Sequence, residues 1–543
     1  MNKISPHLYA VVTGLLLALS FPPMYFFFFA FIAFIPLLYF FSEQDYKRKY
    51  LLVYIAFFIY HSGCNWWIGS WQADSDPYLT ASSIALAIIH PLFFMFPFWI
   101  FFTLKKRFGK NLALNSFPFI WTSYEWLHNL GELSYPWLTI GNTQIYNYYW
   151  VQFVEITGVW GASFLIIVAN VIILKLINIF FAKKANQRIS HRNELILFTS
   201  ILSALITIPV IFGIVRTSQF NHSDLMKRHR ILKAGIIQPA INPWRKWEIS
   251  VDGMIQLQMD IADSLLDNEK KPELIIWNET AIPRYVHLGT YYHYSYPAEW
   301  VAIRNAALFT GVAEIEYFNY ENKPITARRD INEESLYYEP YNSSILINPN
   351  DKTKPQSYRK MRLTPMAERL PYTEYLMFMK SWFEWGVGVS SWGIGTEQKN
   401  LTVRMKSDSA SLGPVICIES IYPEFVSRTV KNGAEFIAVI TNDAWYDYTP
   451  GPEQHFLISA VRAIENRRYI ARCANTGVSG LISPTGETIS RLPQYTKAGL
   501  FVEIPLLKDM TLYSEYGDWF ALICFIYTVF IFLFAYIKKF IKL

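Results

Sequence analysis

Apolar residues are not spread evenly along the chain. From residue 1 to about 217, and again over 518–537, Phe, Leu, Ile and Trp crowd into long runs, whereas the stretch between mixes charges throughout. A bilayer core of about 30 Å takes roughly 20 apolar residues as a helix. On that measure the runs predict eight spans, at 7–22, 25–42, 51–69, 82–104, 112–129, 153–181, 196–216 and 518–537. The first has Lys3 ahead of an apolar core, as a signal peptide would. No small-residue cleavage site follows, and the next span starts almost at once after Phe21-Pro22-Pro23, so it reads as a retained helix. The fifth carries Glu125 and His128, groups that a span tolerates when they face the protein interior or a cavity.

Basic residues set the expected orientation. Lys47-Arg48-Lys49, Lys105-Lys106-Arg107 with Lys110, the group Lys183, Lys184, Arg188 and Arg192, and the terminal Lys538, Lys539 and Lys542 all fall on one side of an eight-span chain. Positive loops mark the cytoplasmic side, so the charged middle is expected outside the membrane. The chain divides accordingly into a seven-helix region 1–217, a water-facing domain 218–516, and a last span with a basic tail, 517–543.

Within the middle domain, short apolar runs alternate with helical spacing. Strands are expected at 231–238, 274–277, 309–313, 342–347, 415–417 and 436–441, with the last strands inside 472–483. Helices are expected at 246–268 (Met254, Leu257, Ile261 and Leu265 in step), 299–307 and 453–467 (Phe456, Ala460, Val461 and Ile464 on one face). This is an α/β pattern. Residues 320–340 and 373–396 read as insertions or mobile arms. The second holds Leu376, Met377, Phe378, Met379, Trp382, Phe383 and Trp385, as a lid dipping into lipid headgroups would, or as ordinary core would.

Composition adds exclusions. Averaged over the chain, 52% of residues are hydrophobic and only 17% charged; the net charge of +6 sits in short loops beside the spans and requires no nucleic-acid partner. The four cysteines, Cys64, Cys417, Cys473 and Cys524, have neither metal spacing nor a disulfide framework. No phosphate-binding glycine loop is present, and no metal or cofactor is expected.

Three residues at strand ends carry candidate chemistry. Gly413-Pro414-Val415-Ile416-Cys417-Ile418-Glu419-Ser420 reads as a buried strand that stops at a thiol; Trp277-Asn278-Glu279-Thr280 supplies a carboxylate and Tyr358-Arg359-Lys360 an ammonium. A thiol with pKa near 8.5 is only a few per cent thiolate at neutral pH. A carboxylate can take its proton, and an ammonium can stabilise the thiolate and then an oxyanion. Glu279, Lys360 and Cys417 thus form a consistent acyl-transfer set.

The words around these residues resemble the nitrilase superfamily: WNETAIP around Glu279, SYRKMRLTPMAERLPY around Lys360 and GPVICIES around Cys417, in that order, followed by Asn442-Asp443-Ala444-Trp445 and Arg472-Cys473-Ala474-Asn475-Thr476-Gly477. With the spans, and with Leu19-Ser20-Phe21-Pro22-Pro23, Tyr124-Glu125-Trp126-Leu127 and Tyr135-Pro136-Trp137-Leu138, nearly the whole chain is similar to the apolipoprotein N-acyltransferase family. The resemblance implies an α-β-β-α sandwich on the periplasmic side of a bacterial inner membrane. It implies transfer of a fatty acyl group from a glycerophospholipid, through a thioester on Cys417, to the N-terminal amine of a diacylglyceryl-cysteine lipoprotein. Glu279 becomes the general base, Lys360 and the Ile418 N–H the oxyanion hole, and Glu368, eight residues beyond the lysine, a support for it, with Glu419 a further supporting carboxylate. Trp247, Trp445 and Asn342 become substrate-binding residues.

The chain departs from the family pattern at Ile418 (usually tyrosine), Asn278 (proline), Met366-Ala367 (Phe-Gly), Arg362 (histidine) and His128 (commonly arginine). A membrane-anchored nitrilase-type amidase, or an acyltransferase with another amine acceptor, is the alternative reading. Eight spans favour substrates that stay in the bilayer.

Overall fold

The structure is a computed structural model that describes residues 5–69, 75, 77–184, 192–244, 249–267, 271–330, 333, 335–349, 351, 354–376 and 392–540. Among them, five helices are long and apolar enough to cross a membrane: Lys49–Gly69, Leu79–Phe108, Val159–Phe181, Arg192–Gln219 and Trp519–Ile537. Pro6–Ser20 and Phe27–Glu43 are shorter apolar helices. Lys110–His128 has 19 residues and a polar end. The expected span 153–181 is broken at Gly158, between Val154–Thr157 and a helix that starts at Val159. In Arg192–Gln219 only 6% of the apolar window is buried, so Ile196, Leu197, Ile208, Ile211 and Ile214 face outward. An apolar surface of that kind demands lipid around it. Glu125 points into the bundle, as its position in a span requires, where Trp121 Nε1 and the Ile140 N–H donate to it at 3.0 and 2.8 Å.

The middle of the chain builds two facing sheets. In chain order the strands are β1 (Ile231–Gln238), β2 (Leu274–Ile276), β3 (Ile282–Val286), β4 (Ala307–Asn319), β5 (Arg328–Arg329), β6 (Leu336–Ile347), β7 (Gln356–Arg359), β8 (Leu401–Arg404), β9 (Ser409–Ile416), β10 (Phe436–Thr441), β11 (Ile470–Ala474), β12 (Ser479–Ile482), β13 (Thr488–Leu492) and β14 (Ala498–Pro505). One sheet runs β14-β1-β2-β4-β6-β5, with β3 beside β4 and β7 beside β6; the other runs β13-β12-β11-β10-β9-β8. Their centres, β1-β2-β4 and β9-β10-β11, are parallel. The sheets meet face to face: the Cys473 thiol on β11 donates to the Ile237 and Ile276 carbonyls at 3.1 and 3.3 Å. Helices Val251–Leu266 and Ser295–Arg304 belong to the first sheet's core, and Pro423–Lys431 and Gly451–Asn466 to the second's, which is the expected α-β-β-α layering.

Several expectations are corrected. The last strands are not confined to 472–483: β13 and β14 follow, and β14 returns to pair antiparallel with β1 from Ile231↔Pro505 to Gln238↔Ala498. The helix at 246–268 is Val251–Leu266, and its buried stripe includes Ile255, Met259 and Ala262, while Leu257 and Leu265 are only half-buried. The strand at 309–313 extends to Asn319 because it pairs with β6 along a ribbon, Leu308↔Ile347 to Asn319↔Leu336, so the described residues of 320–340 include β5 and the start of the return strand β6. In the 373–396 arm, Thr373–Leu376 is a helical turn, and Trp392, Gly393 and Gly395 donate backbone bonds to Glu368, Pro340 and Lys360. Met377 to Trp385 lie outside the described residues.

The two regions share one packed core. Helix Gly451–Asn466 was expected to bury one face. It buries every residue except Glu453, because the membrane region covers the other side. Gln454 Oε1 accepts from Trp67 Nε1 (3.1 Å) and Trp137 Nε1 (2.8 Å), and its Nε2 donates to the Cys64 carbonyl at 3.1 Å. Gly451 lies so close that a Cβ there would sit 2.5 Å from the Trp67 ring.

Candidate active site

Each candidate group leaves a strand at the same edge of the sandwich. Glu279 follows β2, in a turn where Thr280 is left-handed (φ 48°). That turn lies against Gly311 of β4, where a Cβ would be 2.4 Å from the Thr280 nitrogen and 2.7 Å from the Glu279 Cα; only glycine fits. Lys360 comes directly after β7, its N–H on the Asn342 carbonyl at 2.8 Å. Cys417 ends β9 and begins the 3₁₀ turn Cys417–Ile421, with φ 51°. A non-glycine residue held left-handed at a strand-to-helix elbow stores local strain, and here it lifts the half-buried thiol off the sheet.

The charges interlock. Lys360 Nζ lies 3.2 Å from Glu279 Oε1 and 2.9 Å from both oxygens of Glu368. Asn342 Nδ2 donates to the same two carboxylates, at 2.7 and 2.8 Å, so this residue serves the carboxylates and its amide hydrogens are spent. The Asn442 and Thr364 N–H groups complete Glu279 and Glu368 at 2.9 and 2.7 Å. Burial alone would strip the ammonium of its proton, but Glu279 and Glu368 hold the Lys360 pKa well above its ordinary value. Burial likewise opposes ionisation of Glu368, and Lys360 overcomes it, holding that carboxyl below its usual range. The Cys417 thiol is pushed up by burial and by Glu279, with Lys360 opposing. The resting sulfur is therefore protonated and needs a base.

Glu419 ties the nucleophile to the lysine loop. It is fully buried and accepts four hydrogen bonds: Tyr358 Oη (2.6 Å), the N–H groups of Met361 (2.7 Å) and Arg362 (3.2 Å), and on its other oxygen the Ile416 N–H (2.8 Å). Burial pushes its pKa up to about 7 against these donors.

A second buried chain stands behind Cys417, joining residues that the sequence analysis had not connected. Arg472 Nη2 donates to Asp443 Oδ2 (2.8 Å), and Asp443 Oδ1 accepts from Thr441 Oγ1 and from the Nδ1–H of His455, both at 2.9 Å. His455 Nε2 lies 2.8 Å from Ser420 Oγ and 3.1 Å from the Cys417 carbonyl oxygen. Burial and Arg472 lower the His455 pKa, with Asp443 opposing; despite its own burial, Asp443 is held well below the usual carboxylate range by Arg472 and His455. The Ser420 hydroxyl donates to the Cys417 carbonyl at 2.8 Å, so His455 Nε2 faces two oxygens of the elbow, Ser420 Oγ and the Cys417 carbonyl. The Asn442-Asp443 and Arg472 words pointed at this chain. His455 gave no signal, since a lone histidine in a helical pattern passes for core.

The remaining predicted residues are placed as follows. Ile418 is buried, its N–H in the first turn after the elbow, where helical partners are lacking. Trp445 packs edge-on against Trp244 at 5.1 Å. Trp247 lies outside the described residues. Among the described residues, no group of three His, Cys, Asp or Glu side chains could hold a metal.

A cysteine on a strand-end elbow beside a lysine and two carboxylates, in a four-layer α-β-β-α domain, is the pattern of a carbon-nitrogen hydrolase, and residues 233–508 match that family's model, described as carbon-nitrogen hydrolase. Residues 13–172 match the apolipoprotein N-acyltransferase N-terminal domain. The chain is 31% identical over 536 residues to the apolipoprotein N-acyltransferase of Chlorobaculum tepidum, covering 96% of this chain and 94% of that one. It is 26% identical over 522 residues to that of Geobacter metallireducens, covering 95% and 93%. Among solved structures, the carbon-nitrogen hydrolase from Helicobacter pylori G27 is similar with TM-score 0.37 and 15% identity, over 54% of this chain and 94% of that one. The chain belongs to the apolipoprotein N-acyltransferase family, and it is an acyltransferase built on a nitrilase-type domain.

Proposed function

We propose that the protein takes a fatty acyl group from a glycerophospholipid and passes it, through a Cys417 thioester, to the N-terminal amine of a diacylglyceryl-cysteine lipoprotein. Glu279 accepts the thiol proton as sulfur attacks the ester carbonyl. The Lys360 ammonium and the Ile418 N–H stabilise the oxyanion, and collapse expels the lysophospholipid alkoxide, which takes the proton back from Glu279. In the second half the lipoprotein amine, with a pKa of about 8, attacks the thioester. Glu279 removes its extra proton, and the departing thiolate recovers one. Glu368 and Asn342 hold Lys360 and Glu279 at their spacing, while Glu419 fixes the lysine loop to the elbow. Trp445 and Trp247 serve the mouth of the site.

The observation that carries the lipid substrates is the shared core: the helix that backs Cys417 rests directly on Trp67 and Trp137 of the membrane region. A site walled by apolar helices suits substrates that arrive sideways from a bilayer. We place residues 1–217 and 517–543 in a bacterial inner membrane as eight spans, with the 218–516 domain on the periplasmic side, a reading supported by the one-sided basic loops.

The test is intact-mass spectrometry of the detergent-purified protein after incubation with phospholipid alone. An acyl adduct released by hydroxylamine, and missing in Cys417→Ser, is the expected result. Absence of any adduct, alongside hydrolysis of small amides, would turn the reading toward an amidase.

A further inference from the structure

A small cleft of about 40 Å³ lies where the membrane region meets the lysine loop, lined among others by Glu132, Ser134, Arg362, Pro365, Arg369 and Tyr422. One wall is the lysine loop, through Met361, Arg362 and Leu363. Arg362 stands two residues after Lys360, and its N–H donates to one oxygen of Glu419 at 3.2 Å while the Ile416 N–H at the elbow donates to the other. Its rim belongs to the lipid boundary. The loop 129–134 follows helix Lys110–His128, and Leu130 and Leu133 there are 45% and 48% exposed.

Two guanidinium groups line this cleft with unspent donors. Arg362 makes no ion pair among the described residues; it lies over the Tyr422 ring at 5.2 Å, a stacking that fixes the group without using its N–H donors. Arg369 is 5% exposed. Its Nη1 donates to the Trp392 carbonyl and its Nη2 to Glu374, while its buried Nε has no partner. An unspent buried N–H is costly unless a ligand fills it. Glu132 lines the cleft too, with one oxygen occupied by the Tyr372 N–H at 2.8 Å. The donor set is that of an anion subsite, and guanidinium forks suit phosphate oxygens.

Resting on the function proposed above, we propose that this cleft binds the phosphodiester of the acyl donor, with Arg362 as the principal contact and the Arg369 Nε–H as the second. The phosphate of a glycerophospholipid lies a few bonds from its ester carbonyls, so anchoring it beside the lysine loop delivers the ester to Cys417.

The test compares two donors of identical acyl chains, a phosphatidylglycerol and a diacylglycerol, which share the ester and alcohol leaving group and differ in the phosphate. Acyl-enzyme formation is followed by intact mass on the full-length protein in mixed micelles. The wild type is expected to favour the phospholipid by roughly ten- to a hundredfold, the range for hydrogen bonds to a charged group. Arg362→Met is expected to remove most of that preference by slowing the phospholipid reaction, and Arg362→Lys to retain part of it. Equal slowing with both donors would mean that Arg362 only shapes the loop, and no slowing with either would mean that the cleft binds no phosphate; each overturns the proposal. Inhibition of the phospholipid reaction by millimolar inorganic phosphate, removed by Arg362→Met, would make this a free-phosphate site and overturn the lipid assignment. If the wild type acylates with neither donor while hydrolysing small amides, the acyltransferase reading fails first.

Discussion

His455 Nε2 lies 3.1 Å from the carbonyl oxygen of Cys417, so the histidine behind the nucleophile touches its backbone. Its role is therefore positional. Nε2 faces both the Ser420 hydroxyl, which itself donates to the Cys417 carbonyl, and that carbonyl. His455→Ala is expected to lower kcat for acyl-enzyme formation by about 10²-fold, the usual cost of misplacing a reacting group by about 1 Å, with KM little changed. A purely structural residue would move the melting temperature and leave this kcat–KM split absent.

The same residue gives a stability dependence with a definite sign. The folded His455 pKa is depressed below 6.5 and the unfolded one is not, so the unfolded chain binds more protons. Stability from this group is present above about pH 6.5 and declines as pH falls below it. Thermal melts between pH 5 and 8 check this; His455→Gln should flatten that part of the profile.

Glu419 acts in the opposite direction. Its folded pKa is raised from 4.5 to about 7, so its stability contribution is present below about pH 4.5 and lost as pH rises through 7. Yet all four of its partners are donors, which the ionised carboxylate satisfies and the acid does not. Acyl-enzyme formation should therefore rise through pH 7 while Glu419's share of stability declines. A pH–rate profile of Glu419→Gln that keeps the same acid limb would show that another group sets it.

Lys360→Met leaves Glu279 and Glu368 buried with no cation between them. Like charges then favour the protonated forms, so the acid limb of residual activity moves to higher pH. The loss of rate should reach about 10²–10³-fold, as for removal of an oxyanion donor. An unshifted limb would remove Lys360 from the control of Glu368's ionisation.

Glu155 joins the regions away from the chemistry. It pairs with Arg467, just past helix Gly451–Asn466, and with Arg216 at 2.6 Å. Glu155→Ala leaves both guanidinium groups without their counter-charge, the fully buried Arg467 keeping only neutral acceptors, and should cost about 3–5 kcal/mol, read as a lower melting temperature in detergent with acyl-enzyme chemistry intact in the surviving fraction.

Much of this was legible in the sequence because local signals carried it. Strands β1 and β10 fall at their expected limits, since each is an apolar run with clear breakers. Glu279, Lys360 and Cys417 were found as strand-end groups, and the structure brings Glu279 and Lys360 together within 3.2 Å. What escaped depends on distant partners. β14 has a mixed pattern that becomes a strand by pairing with β1, far earlier in the chain. The second face of helix Gly451–Asn466 escaped because its partners are distant in sequence: Asp443 and Ser420 for His455, Arg472 for Ser459, the Ile421 carbonyl for Arg462 and the Val159 N–H for Glu465. Asn342 was read as a substrate contact because nothing local reveals that two carboxylates claim its amide hydrogens.

The Gln454 bridge bears on how this enzyme can be handled. An excised 218–516 fragment would expose the buried side of helix Gly451–Asn466 and leave Gln454 without the two indoles and the carbonyl it satisfies, one residue from His455. The cut surface would start at the support of the nucleophile. The membrane helices are in this sense the outer wall of the catalytic domain, and grafting that domain onto another anchor would require Trp67, Trp137 and Cys64 to travel with it.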